Sequence, residues 1–254
     1  MLVAVGPADN GIVRWLLVLL TACGRIGIDP LAPVDATPVP VDTAPVLCAV
    51  EGTPCDDQNI CSPTSSCTSG VCVATSGDPT CTAGDSREEF GSIQGEHNWY
   101  YGYWNRTEDA DSTYEAADFT EMTVFPGGLW RPPDYADTGP TFSWAYHAGF
   151  GGHPGSYPLE KLPIRRWSGP LSGHAEAVVT WKKSDTSNGD GTRAILVVDG
   201  VRLWERSVAF DDGVGFVEAV PIELHPGSTV DLLLDYIGDD GGDTTEYWMT
   251  IRSR

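Results

Sequence analysis

Six of the seven cysteines, Cys48, Cys55, Cys61, Cys67, Cys72 and Cys81, crowd into 34 residues. A stretch that short buries too little apolar surface to hold a fold by its core alone. An even set of closely spaced cysteines in an exported chain reads as a disulfide framework, each closed loop stabilising by roughly 2–4 kcal/mol. Six cysteines allow fifteen pairings, and spacing does not choose among them. Zinc is the rival ligand. Structural zinc sites favour close Cys pairs joined by a second pair or by histidines, yet only Cys67 and Cys72 approach that spacing and the segment holds no His. Asp56, Asp57 and Asn59 lack the glycine and terminal Glu of a Ca²⁺ loop and read as a solvated turn.

The disulfide reading needs an oxidising compartment, and the N-terminus points to one. The run from Ile12 to Leu20, with Arg14 as the one positive charge near its start, is too short for a bilayer, which takes about 20 apolar residues. Leu20-Thr21-Ala22-Cys23 follows directly. That ending resembles the bacterial lipobox, which implies cleavage before Cys23 and acylation of its thiol; the alternative is an ordinary cysteine in a leader. Gly24 resembles the position that directs such lipoproteins to the outer membrane. Asp9 is unusual in a leader and suggests a start at Val13. From Asp29 to Leu47 five prolines recur among Val, Ala, Thr and Asp. Such a chain is extended and polyproline-like, a stalk or a plain spacer.

The cysteine segment, CAVEGTPCDDQNICSPTSSCTSGVC, resembles short EGF-like and dickkopf-like repeats of secreted proteins, although it lacks the C-x-C pair of a true EGF module. Beyond it cysteine disappears. Nine Trp and 48 Gly plus Pro residues point to an all-β architecture. Strand-like runs cover Asn98–Trp104, Phe119–Phe125, Thr141–His147, Ala175–Lys183, Thr192–Asp199, Val201–Ala209, Phe216–Leu224, Val230–Tyr236 and Glu246–Arg252. Asp199-Gly200 between two such runs is a type I′ hairpin signal. The fold class is mainly β, with a C-terminal β-sandwich or jelly roll. The expected organisation is a signal peptide (1–22), a lipid-anchored Pro-rich linker (23–47), a Cys-rich disulfide segment (48–84) and a β-sandwich (85–254).

The opening Phe90–Tyr103, with His153-Pro154, Pro163–Trp167, Gly189–Gly191 and Asp199-Gly200 in order, resembles a β-sandwich domain of exported bacterial proteins. Its layout is similar to carbohydrate-binding jelly rolls, and sugar binding is what that resemblance implies. The densest aromatic block is Trp99, Tyr100, Tyr101, Gly102, Tyr103 and Trp104. In a strand, Trp99, Tyr101 and Tyr103 face one side and Tyr100 and Trp104 the other. Either one face forms a platform for sugar C–H groups or both faces are core. Gly102 leaves room for a ring. Arg165 and Arg166 split inward and outward; the inward one needs a carboxylate or several carbonyls. All seven side chains are candidate ligand contacts. Asp185, Asp190, Asp239, Asp240 and Asp243 lie in loops and are either solvated turns or ligands of a structural Ca²⁺. No other cofactor is required.

With 36 acids against 15 bases, the net charge of −21 repels phosphate backbones and excludes nucleic acid as a partner. Catalytic spacing is absent: there is no GxSxG, HExxH, P-loop or dinucleotide fingerprint, and His97, His147, His153, His174 and His225 are scattered. The sequence therefore reads as a non-catalytic, lipid-anchored surface protein outside the cytoplasm of a diderm bacterium. It touches the membrane through its anchor alone and binds polysaccharide. The alternatives are a module that binds another surface protein and a polysaccharide-active enzyme of unrecognised type.

Overall fold

A computed structural model describes residues 47–55, 61–62, 64–76, 81–135 and 143–254. The signal peptide, Cys23, the Pro-rich linker up to residue 46 and the turn at Asp56–Asn59 lie outside the described residues. In chain order the strands are β1 (Thr64–Thr68), β2 (Val71–Ser76), β3 (Thr82–Asp85), β4 (Trp99–Asn105), β5 (Thr120–Glu121), β6 (Tyr146–Ala148) and β7 (Gly151–His153). They continue as β8 (Lys161–Trp167), β9 (Gly173–Lys183), β10 (Thr192–Val198), β11 (Val201–Val208), β12 (Phe216–Leu224), β13 (Val230–Tyr236) and β14 (Thr245–Ser253).

Two antiparallel sheets face each other. One runs β11-β10-β13-β8-β4-β5 and the other β12-β9-β14-β7-β6, with β3 also paired to β14. Alternation builds the core between them. From the first sheet come Trp99, Tyr101, Trp167, Leu196, Leu232 and Leu234; from the second come Ala177, Val179, Trp181, Tyr247, Met249 and Ile251. Each such apolar side chain contributes about 1.5–3 kcal/mol when fully buried. The mainly β sandwich is thus the architecture that the strand-like runs indicate.

Across β4, β8, β10 and β13 the first sheet carries apolar clusters on both faces. Trp104, Leu162, Ile164, Ile195, Val197 and Leu233 form a second cluster on its outer side, roofed by Tyr114 and Phe119. This is why β10 and β13 read as nearly unbroken apolar runs rather than as alternating ones. β8 is not among the strand-like runs of the sequence, and a proline such as Pro163 is unusual in a central strand. It sits between β13 and β4 nonetheless. Its pairing with β13 covers only Ile164–Trp167, so Pro163 lies beyond the last β13 partner and faces Tyr103 on β4.

The open side between β11 and β12 is closed by side chains. Trp204 Nε1 donates to Glu218 at 3.0 Å, and the Arg206 guanidinium lies 4.5 Å from the Phe216 ring centre. The β10–β11 turn has positive φ at both Asp199 (51°) and Gly200 (80°), as a type I′ turn requires. The cysteines pair Cys48–Cys67, Cys55–Cys72 and Cys61–Cys81. Cys67 and Cys72 face each other across the β1–β2 hairpin, yet each bonds a more distant partner. Cys61 belongs to the sandwich core, with Cys81 packed against it, so the stapled segment and the sandwich share one apolar cluster.

Candidate functional site

The aromatic block forms β4, and its alternation decides the fate of each ring. Trp99 and Tyr101 are fully enclosed, at 0% and 1% exposure, and Tyr103 and Trp104 are buried as well. Trp99 Nε1 donates to Glu89 at 2.8 Å, Tyr101 stacks on Trp130, and Lys161 lies over the Tyr103 ring. On the other face Trp104 donates to Asp109 at 3.0 Å and packs against Tyr114. These four rings are core, which corrects their expected role as a platform. The reason is that both faces of the sheet are covered, one by the second sheet and one by the chain leading into β5.

Arg165 points inward and is fully buried. Its partners are carbonyls rather than a carboxylate: Ser86 O at 2.8 Å, Ala148 O at 2.6 Å and Gly151 O at 3.2 Å. The Tyr247 ring lies 4.7 Å from its guanidinium carbon. It ties three chain segments together inside the core and is closed to any ligand, a second correction.

Tyr100 and Arg166 behave differently. They are direct cross-strand partners on the outer face of the first sheet, and both line a cavity of about 200 Å³ with Phe119, Glu121, Ser168 and Thr229. Arg166 is held on three sides. Its Nε donates to Asp231 Oδ1 at 2.7 Å, and its Nη2 donates to Asp231 Oδ2 at 2.8 Å, to the Tyr114 hydroxyl at 3.0 Å and to Ala116 O at 2.9 Å. The guanidinium lies 4.1 Å above the Phe119 ring. Nη1 makes no hydrogen bond among the described residues. Burial opposes the Arg166 charge, but the bonds and charge of Asp231 outweigh it and hold its pKa above the ordinary value. Burial pushes the Asp231 carboxyl up, with Arg166 and the Tyr114 hydroxyl pulling against that shift.

The remaining lining groups come from three places. Phe119 precedes β5 and Glu121 ends it, paired with Gly102. Ser168 follows β8 and donates its N–H to Asn98 O at 3.0 Å. Thr229 precedes β13, its N–H donating to Asp199 Oδ1 at 2.8 Å, while its Oγ1 is buried with no hydrogen-bond partner among the described residues. Sequence reasoning missed these four. Phe119 and Glu121 stood in a run marked only as strand-like, and nothing marks a lone Ser or Thr at a strand end.

The acidic loops converge, but their carboxylates turn to donors of this chain. Asp240 accepts from Ser156 N and Oγ at 2.8 and 2.7 Å, and Asp185 from Ser187 N and Oγ at 3.0 and 2.7 Å. Asp190 accepts from Asp239 N at 3.1 Å, and Asp239 from Gly241 N at 2.8 Å. Asp243 is buried and pairs with Lys183 at 2.7 Å. Among the described residues no group of three or more His, Cys, Asp or Glu side chains is placed to hold a metal ion. The five carboxylates are therefore not gathered around one point.

No protein-family model matches the sequence, and no curated protein matches it. Solved structures similar to it include CBM51 from Clostridium perfringens GH95 in complex with methyl-galactose, at 14% identity and TM-score 0.29, over 39% of this chain and 72% of that one. A family 35 carbohydrate binding module from Clostridium thermocellum matches at 16% identity and TM-score 0.26, over 41% and 82%. CBM36 in complex with calcium and xylotriose matches at 20% identity and TM-score 0.24, over 39% and 84%. The fold assignment stands on the sheets described above rather than on these similarities.

Proposed function

We propose that the chain is a non-catalytic carbohydrate-binding protein and that the cavity beside Tyr100 and Arg166 receives a sugar ring. The observation that supports this most is the state of Arg166: fixed by four hydrogen bonds, stacked on Phe119, and left with Nη1 uncommitted. A fixed cation loses little freedom when it grips hydroxyls. The Tyr100 and Phe119 rings suit sugar C–H faces, and Glu121 and Ser168 suit sugar hydroxyls. The cavity is smaller than the roughly 300–1,000 Å³ that encloses drug-sized ligands, so it suits one ring or a chain end. The reading requires no cofactor.

Three disulfides belong to an oxidising compartment and support a site of action outside the cytoplasm. Acylation at Cys23 and outer-membrane anchoring complete the reading. The second reading, a protein partner, is favoured by β11, an edge strand with Val201 61% and Leu203 47% exposed.

The test is retention of the full chain on a panel of insoluble and soluble polysaccharides, with and without EDTA. Tyr100→Ala should reduce retention at least tenfold without lowering the unfolding midpoint, and EDTA should change nothing. A folded protein that no polysaccharide retains, or a Tyr100→Ala chain retained as well as its parent, would sink the proposal.

A further inference from the structure

The opposite sheet carries a second cavity, of about 160 Å³, bounded by Tyr146, Ala148, Phe150, Gly151, Gly152, Ser184, Thr244, Thr245 and Glu246. Phe150, in the β6–β7 turn, is an open wall, with 60% of its surface exposed. An aromatic ring that open is normally loose, but this one is backed. The Arg87 guanidinium lies 4.7 Å from the Phe150 ring centre and 4.5 Å from that of Trp248. Trp248 is on the outer side of β14, whose residues alternate between buried and half-buried, so the Phe150–Arg87–Trp248 stack stands on the outside of the second sheet.

The other groups complete the chemistry of a small polar ligand with an apolar face. Glu246 is oriented by Lys182 at 2.8 Å. Tyr146 lies nearly parallel to the His153 ring, at 6.0 Å and 17°. Ser184 and Thr244 are joined by a backbone hydrogen bond of 3.0 Å and bring two hydroxyls to one end. The floor is Ala148, Gly151 and Gly152, which keeps it low. Gly151 can be nothing larger, because a Cβ there would come within 2.0 Å of Thr245 O.

We infer that this cavity is a second carbohydrate site, independent of the first and on the opposite sheet. The inference rests on the carbohydrate reading proposed above. A protein partner fits the cavity less well, since a specific protein interface needs about 800 Å² on each side, whereas one exposed ring beside a carboxylate and two hydroxyls matches a single sugar ring. Two sites on opposite sheets make the molecule divalent. It can bridge two glycan chains, or two points on one, and gain avidity that neither site has alone.

The test is a titration of the ¹⁵N-labelled full chain with the methyl glycosides of glucose, galactose and xylose, followed amide by amide. The expected result is two sets of shifts with separate saturation curves, one around Tyr100, Arg166 and Thr229 and one around Phe150, Ser184 and Glu246. Phe150→Ala, an exposed position, should abolish the second set and leave the first within about twofold. Shifts confined to the first set with all three glycosides overturn the second site while the first stands. Shifts confined to the second set uphold it and overturn the first. No shift with any glycoside overturns both.

Discussion

Phe119 occupies the space that a side chain on Gly102 would take: a Cβ there would lie 2.5 Å from both its Cε2 and its Cζ. The glycine in the middle of the aromatic block does make room for a ring, and the ring belongs to the protein itself. It forms part of the roof that turns the outer face of β4 into interior and one wall of the Tyr100–Arg166 cavity.

Gly102→Ala should therefore overpack the roof and cost about 1–3 kcal/mol. Urea unfolding measures this. Adding Phe119→Ala should make the pair cost less than the sum of the two single changes. Rescue should be partial, because the backbone oxygen of Thr120 also lies 2.5 Å from the added Cβ.

Thr229→Val should leave stability unchanged or slightly raised. The Thr229 hydroxyl is buried and unpartnered, and an unmet buried polar group costs about 1–3 kcal/mol that an apolar isostere avoids. Glycan retention should not change, because the enclosed hydroxyl is out of a sugar's reach. A stability loss above ~1 kcal/mol would show that the hydroxyl has a structural partner.

Asp243→Asn should destabilise the fold at neutral pH by about 3–5 kcal/mol, since it leaves the buried Lys183 ammonium without its counter-charge. The dependence on pH has a definite sign. Burial pushes the Asp243 carboxyl up to about 6, Lys183 pulls against this and Asp190 adds to it. The stability that the protonated acid brings is complete below its ordinary pKa and is lost as pH rises through 6. The penalty of Asp243→Asn, measured by chemical unfolding, should grow between pH 7 and pH 5, because only the parent gains stability as the carboxyl takes up its proton.

His147 should resist protonation. It is held between Gly102 O, 2.9 Å from Nε2, and the Tyr247 hydroxyl, 2.8 Å from Nδ1. The carbonyl can only accept, so Nε2 carries the proton and Nδ1 accepts from Tyr247. Burial, with the nearby Arg165 charge, pushes its pKa down to about 3. For a histidine depressed in the fold, stability is complete above about 6.5 and drains away as pH falls towards 3. NMR of the imidazole should find it neutral at pH 4.5, and His147→Phe should flatten the loss of stability over that range.

Much of the sandwich is written in its alternation. Trp99, Tyr101 and Tyr103 against Tyr100 and Trp104, and Arg165 against Arg166, fall on the faces that a two-residue period assigns them. The Asp199-Gly200 turn is equally legible. Which face is solvated is another matter, because that depends on what lies above it. The chain from Arg106 to Phe119 has no periodicity that announces it as a roof, yet it decides that Trp104 is core and that Tyr100 borders a cavity. The Cys pairing depends on distant contacts, and so does the seat of Thr229. Phe150 was passed over because a lone Phe in a Gly-rich turn gives no pattern; its backing by Arg87 and Trp248 appears only when segments far apart in the chain meet.

β14 holds a further consequence. It pairs with β9 along its whole length, and its other edge is shared by β7 at one end and β3 at the other. Thr250 faces Asp85 across 165 positions of sequence. Contacts of such long range close slowly, because the loop entropy is lost before the contact is gained. The second sheet therefore cannot assemble in the order in which it is synthesised. Until β14 is made, β3 and the β6–β7 pair lack the strand that joins them to the rest of the second sheet.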